Sequence, residues 1–117
     1  MAGVLIVDDE PEIVQFIGHA LEDEGFAVST AADGEEAVEL ATRDKPDLVV
    51  LDIALPRLDG KGVAAEIRRL YGAVPILVIT ADGHAREKAE LVGAYGYLRK
   101  PFDLDQLVSS IQERLRS

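Results

Sequence analysis

Cysteine is absent from this chain, which excludes disulfides, a thiol nucleophile and any thiolate metal centre. Histidine is scarce: His19 and His84 lie far apart without the spacing of zinc ligands, and both read as solvent-exposed helix residues. Positive charge is missing from the N-terminal stretch, where no Lys or Arg precedes Arg43 but eleven acids do. From Arg43 onward twelve bases face eleven acids, so the net charge of −10 is concentrated before that point. A nucleic-acid-binding surface needs the opposite distribution, and direct nucleic-acid binding is not expected. Long apolar runs are also lacking. The first, at residues 4–7, is too short for a secretory signal and no later run could span a membrane, so the chain is expected to be cytoplasmic.

What the chain does have is alternation. Short apolar runs at 4–7, 26–31, 48–53, 75–80 and 95–99 read as strands, and stretches of helical length follow each. Ile13, Phe16, Ile17, Ala20 and Leu21 form one apolar helical face, with Pro11 suited to its first turn and Gly25 to its C-terminal cap. Asp33 and Glu36 have capping-box spacing before the second helix. The remaining helices are expected at about 60–71, from His84 to Gly93, and from Asp103 to the end. Short crossovers between strands predict a parallel sheet sandwiched between helices, an α/β fold in a single domain over residues 1–117.

The polar residues fall where each apolar run stops. The first ends in Asp8 and Asp9, the third at Asp52, the fourth at Thr80, and the fifth leads to Lys100. Ligands of such sheets bind beyond the carboxyl ends of the strands, where the strand order reverses. In the order 2-1-3-4-5, Asp8, Asp9 and Asp52 meet at that point, with Thr80 and Lys100 beside them. Taken singly, each residue has an ordinary explanation: a turn aspartate, a helix cap for Asp9, a loop lysine. Asp52 is harder to dismiss, because a carboxylate inside "LVVLDIAL" is costly without a partner. Clustered carboxylates call for a cation, and oxygen ligation with room for water suits Mg²⁺, or Mn²⁺ in its place. A lysine and a hydroxyl opposite the metal suit phosphate oxygens, and a remaining aspartate can accept a phosphoryl group as an acyl phosphate.

With "VDDE" at 7–10, "LDIALPRLDG" at 51–60, "ITA" at 79–81 and "YLRKPF" at 97–102, the chain resembles the receiver domain of bacterial two-component response regulators over nearly its whole length. The resemblance implies a flavodoxin-like doubly wound (βα)5 sandwich. It implies Asp52 as phosphoacceptor, Asp9 as a direct Mg²⁺ ligand with Asp8 assisting, and Asp52 and the Ala54 backbone carbonyl completing the protein ligands. Thr80 and Lys100 would each engage a phosphoryl oxygen, and Tyr97 would be the switch aromatic that turns inward as the threonine moves. The Lys100–Pro101 bond would be cis. The donor would be a phosphohistidine on a sensor histidine kinase or histidine phosphotransfer protein, and the domain would catalyse its own phosphorylation and dephosphorylation. The switched face would be that of the fourth helix, fifth strand and fifth helix, read by a downstream protein target or an output domain. None is expected within these residues.

Some positions depart from the family's transcription-factor subgroup. That subgroup carries an acidic pair before the switch aromatic, where this chain has Tyr95 and Gly96, and its last helix carries Glu-Leu and an Arg, where this chain has Gln106, Leu107 and Ser110. Asp82, two residues after Thr80, reads first as a helix N-cap and second as a group that tunes hydrolysis of the acyl phosphate. A flavodoxin-type carrier would need a glycine- and hydroxyl-rich phosphate loop in place of "DDEPE". A haloacid-dehalogenase phosphatase would need a second aspartate at the position of Ala54. The remaining alternative is a phosphorylation-independent docking module on the same fold, a type that usually loses one of the site residues retained here.

Overall fold

The computed structural model describes residues 2–53 and 59–116. Strands β1 (Gly3–Val7), β2 (Ala27–Ala31), β3 (Leu48–Asp52), β4 (Ile76–Thr80) and β5 (Gly96–Arg99) alternate with α1 (Pro11–Asp23), α2 (Gly34–Arg43), α3 (Gly60–Tyr71), α4 (Ala85–Val92) and α5 (Leu104–Arg116). All strand pairs are parallel and the order is β2-β1-β3-β4-β5, as the alternation and the resemblance imply.

The period-2 geometry of the strands divides the core into two halves. Leu5, Val7, Val49, Leu51, Ile76 and Val78 pack with α2, α3 and α4 through Ala37, Ala41, Val63, Ile67, Ala89 and Val92. Val4, Ile6, Leu48, Val50, Leu77 and Ile79 pack on the other face with Ile17 and Leu21 of α1 and Leu107 and Ile111 of α5. β3 and β4 are buried along their whole length, which is why their sequences are unbroken apolar runs up to Asp52 and Thr80.

Helix ends follow the sequence signals. Pro11 opens α1. Its C-terminus closes as a Schellman motif, with Phe26 N–H donating to Leu21 O and Gly25 N–H to Glu22 O, and Gly25 takes the φ of +91° that this closure needs. Phe26, expected to begin β2, is thereby committed to the helix end. Asp33 Oδ1 accepts from Glu36 N–H at 2.9 Å and Glu36 Oε1 accepts from Ala32 N–H at 2.7 Å, a slightly displaced capping box. Asp59 caps α3 through Gly62 N–H at 2.9 Å.

Gly60 is the tightest approach in the molecule that bears on the site. A Cβ there would lie 2.8 Å from the Ile53 Cα, so only glycine lets α3 begin against the end of β3.

Candidate functional site

Strand register builds the site. Val7 pairs with Leu51, so Asp8 and Asp52, each the next residue, leave neighbouring strands at the same level. Residue parity then sends both side chains to the α1/α5 side of the sheet, the side of Ile6 and Val50. Lys100 follows β5 with the parity of Leu98 and points to the same side; its N–H donates to Thr80 O at 2.8 Å, and its bond to Pro101 is cis. Thr80 has the parity of Val78 and belongs to the α4 side.

Three buried polar residues mark this edge: Asp8, Asp52 and Thr80. The Lys100 ammonium stands among carboxylates, 2.8 Å from Asp8 Oδ2, 2.9 Å from Glu10 Oε1 and 3.3 Å from Asp52 Oδ2. Burial opposes its charge, but the close carboxylates of Asp8 and Glu10 and the nearby charge of Asp52 outweigh burial and raise its pKa above the ordinary lysine value. Asp8 Oδ1 accepts from Glu10 N–H at 2.9 Å. Asp8 Oδ2 meets Lys100 as an ion pair and not as a well-directed hydrogen bond, so this buried oxygen keeps acceptor capacity.

The carboxylates of Asp8, Asp9 and Glu10 can bring oxygens within 4.8 Å of one another. A buried oxygen with spare acceptor capacity, an all-carboxylate donor set and an ammonium already seated among the acids together fit a hard divalent cation. Asp52 joins the group through Lys100. The Ala54 carbonyl, expected to complete the ligands, lies outside the described residues.

Asp9 does not cap α1: the N-cap is Glu10, whose backbone N–H is held by Asp8, and Asp9 is exposed. Glu10 is a participant that sequence spacing does not single out. It lies inside "VDDE", but only the fold, which brings the segments after β1 and β5 together over the carboxyl ends of β3 and β4, reveals its contact to Lys100. Thr80 Oγ1 accepts from Asp82 N–H at 3.1 Å. Asp82 in turn accepts from His84 N–H and from Lys88 Nζ, each at 2.7 Å. The lysine contact and then the backbone bond hold its carboxyl below the usual range. Asp82 therefore closes the turn before α4 instead of capping the helix itself, whose N-cap is His84. Tyr97, expected as the switch aromatic, is 42% exposed. His19 and His84 are both exposed.

A parallel sheet of this order with a carboxylate pocket, a hydroxyl and a lysine at its switch point defines a phosphate-handling α/β signalling domain. Residues 4–112 match the model of the response regulator receiver domain, and the chain belongs to that family, whose members are phosphoacceptors of two-component systems. It is 40% identical over 115 residues to the response regulator MprA of Mycobacterium leprae, covering 97% of this chain and 50% of MprA. It is 42% identical over 116 residues to the alkaline phosphatase synthesis transcriptional regulatory protein PhoP of Bacillus subtilis, covering 97% of this chain and 48% of PhoP. The chain thus spans about half the length of the curated relatives it matches.

Among solved structures, the chemotaxis protein CheY4 of Vibrio cholerae superposes with a TM-score of 0.88 at 36% identity, covering 97% of this chain and 98% of that one. The response regulator TrrA of Thermotoga maritima, solved in complex with Mg²⁺ and BeF, superposes with a TM-score of 0.85 at 36% identity, again covering 97% and 98%. The family binds Mg²⁺ at an acidic pocket and interacts with histidine kinases. No helix among the described residues is long and apolar enough to cross a membrane.

Proposed function

We propose that Asp52 is the phosphoacceptor, and that Asp8, Asp9, Asp52 and the Ala54 carbonyl hold Mg²⁺, or Mn²⁺ in its place. The observation that carries this reading is the buried Asp52 carboxylate at the end of the central strand, 3.3 Å from the Lys100 ammonium on an otherwise acidic edge. A carboxylate is buried at such cost only where its charge is used.

In the proposed reaction an Asp52 oxygen attacks the phosphorus of a phosphohistidine on a sensor histidine kinase or histidine phosphotransfer protein. The new O–P bond forms as the N–P bond breaks, and the imidazole leaves with its electron pair and takes up a proton. The bound metal supplies charge neutralisation for the transferring oxygens. Lys100 exchanges part of its contact with Asp8 and Glu10 for a phosphoryl oxygen, and Thr80 donates its hydroxyl to another. Hydrolysis by water returns the free carboxylate, so the domain catalyses its own phosphorylation and dephosphorylation and no second substrate is turned over. Tyr97 then turns inward and the α4–β5–α5 face changes for a downstream protein or an output domain. The setting is the cytoplasm, where such kinases present their phosphohistidine.

Intact-mass spectrometry after incubation with acetyl phosphate tests the reading, with and without Mg²⁺ and beside Asp52→Asn. One added phosphoryl group that requires both metal and Asp52 is the expected result. A label that persists in Asp52→Asn would overturn the assignment.

A further inference from the structure

Helix α4, eight residues long, is the shortest of the five, and its N-cap His84 offers no side-chain hydrogen bond. Its attachment to β4 comes from elsewhere. Lys88, on the second turn of α4, reaches back to Asp82 Oδ2 at 2.7 Å; Asp82 Oδ1 holds His84 N–H; and Asp82 N–H donates to Thr80 Oγ1 at 3.1 Å. The line from the Lys88 ammonium to the Thr80 hydroxyl is continuous.

This pair differs from the other ion pairs on the helices. Arg43–Glu39, Arg69–Glu66 and Arg86–Glu90 each join residues one turn apart on a single helix, and each keeps its arginine largely in solvent. Lys88–Asp82 joins a helix to the loop before it, and both side chains are about two-thirds shielded, at 33% and 36% exposure. Each Asp82 oxygen has a partner on the α4 side, so the carboxylate is tied to the loop and helix it precedes.

We propose that Lys88, acting through Asp82, is a positioning residue that holds the Thr80 hydroxyl in its resting place and so sets how readily the site accepts a phosphoryl group. The proposal rests on the reading of Thr80 as a phosphoryl-binding hydroxyl. Thr80 belongs to the α4 side of the sheet and Asp52 to the α1/α5 side, so reaching a group on Asp52 draws the hydroxyl away from the Asp82 N–H or drags the loop with it. Lys88 resists both movements. Releasing it lowers the cost of switching without touching the carboxylate pocket.

The test titrates Mg²⁺ alone, and then beryllofluoride in saturating Mg²⁺, against the wild-type chain, Lys88→Met and Lys88→Arg. Amide NMR follows Thr80, Asp82 and Tyr97, and hydrogen exchange at Asp82 is measured without either ligand. In Lys88→Met the beryllofluoride midpoint should fall by about two- to fivefold, the range of a partly exposed ion pair. The Mg²⁺ midpoint should not move, Asp82 N–H should exchange faster, and Lys88→Arg should restore wild-type values. An unchanged or raised beryllofluoride midpoint in Lys88→Met, or an equal shift in Lys88→Arg, overturns the proposal. A wild-type chain that takes no beryllofluoride would count against the phosphoacceptor reading instead. The Asp82 amide then decides the latch alone: faster exchange in Lys88→Met supports it and unchanged exchange overturns it.

Discussion

Lys100 and Asp8 form the closest ion pair of the acidic edge, Nζ to Oδ2 at 2.8 Å, with the Asp8 side chain wholly shielded from solvent. The lysine is an internal counter-ion here. It offsets the desolvation of carboxylates that the sheet edge would otherwise leave unbalanced. Under the proposed function the same ammonium meets a transferred phosphoryl oxygen, and its two roles would then compete for one position.

Removing that counter-ion should be costly in metal-free protein. Lys100→Ala leaves Asp8 buried without its partner, and we expect a loss of about 2 kcal/mol in urea unfolding with chelator present. Mg²⁺ should recover much of this loss, because binding to the folded state alone adds stability. The variant should still bind Mg²⁺ while phosphorylation no longer moves the Tyr97 resonance. A Tyr97 that reports normally would remove Lys100 from the relay.

The Lys100 pKa fixes the sign of a pH dependence. It is raised in the folded state, so the folded chain holds the proton more tightly than the unfolded one. The stabilisation is complete below the unfolded lysine pKa of about 10.4 and is lost as pH rises through the higher folded value. The gap in urea midpoint between wild type and Lys100→Met should therefore stay constant from neutrality to about pH 9, then close in strong alkali. A gap that persists unchanged through strong alkali would contradict the sign.

Gly60→Ala should damage the end of β3 that carries Asp52, the proposed phosphoacceptor, from outside the site. The new methyl would meet Ile53 backbone at 2.8 Å, which cannot give way as a flexible side chain would. Overpacking of this kind costs about 1–3 kcal/mol. A thermal melt of Gly60→Ala should show that loss, and acetyl phosphate labelling should be slower than in wild type.

Tyr95 and Ser110 tie β5 to α5, hydroxyl to hydroxyl at 3.1 Å, with the Arg114 guanidinium 5.6 Å from the ring centroid. Burial raises the Tyr95 pKa, against the opposing effects of Ser110 and Arg114, so the hydroxyl stays protonated. Tyr95→Phe and Ser110→Ala should each cost about 1 kcal/mol, and the double variant should cost less than their sum. Strict additivity would show that the two hydroxyls do not depend on one another.

Much of this architecture is legible in the amino-acid sequence. Asp52 stands out because a charge interrupts a run that burial on both faces keeps apolar, and Asp8, Thr80 and Lys100 because they end such runs. The elements fall where the periodicity places them, with edges shifted where a competing bond claims a residue: Phe26 closes α1 instead of opening β2. Glu10 and Lys88 are not legible in this way. Neither sits at a strand end. Their partners, Lys100 and Asp82, are set by the meeting of the segments after β1 and β5 over the sheet's carboxyl edge and by the path of one loop, and no local periodicity encodes either. Spacing alone marks Asp82 as a cap, which identifies the right carboxylate and the right helix but misses the lysine that fixes it.

The complete burial of β3 and β4 has a mechanical consequence. Asp52 and Thr80 end the two strands that are buried along their whole length, each held between two neighbouring strands. A bond made at Asp52 finds little give beneath it. The nearest compliant part is a two-turn lever hung beside Thr80, pinned at its far end where the Arg68 guanidinium takes the Val92 carbonyl and Gly93 turns the chain at φ +68°. Under the proposed function, chemistry at this buried base is delivered sideways to the shortest of the five helices.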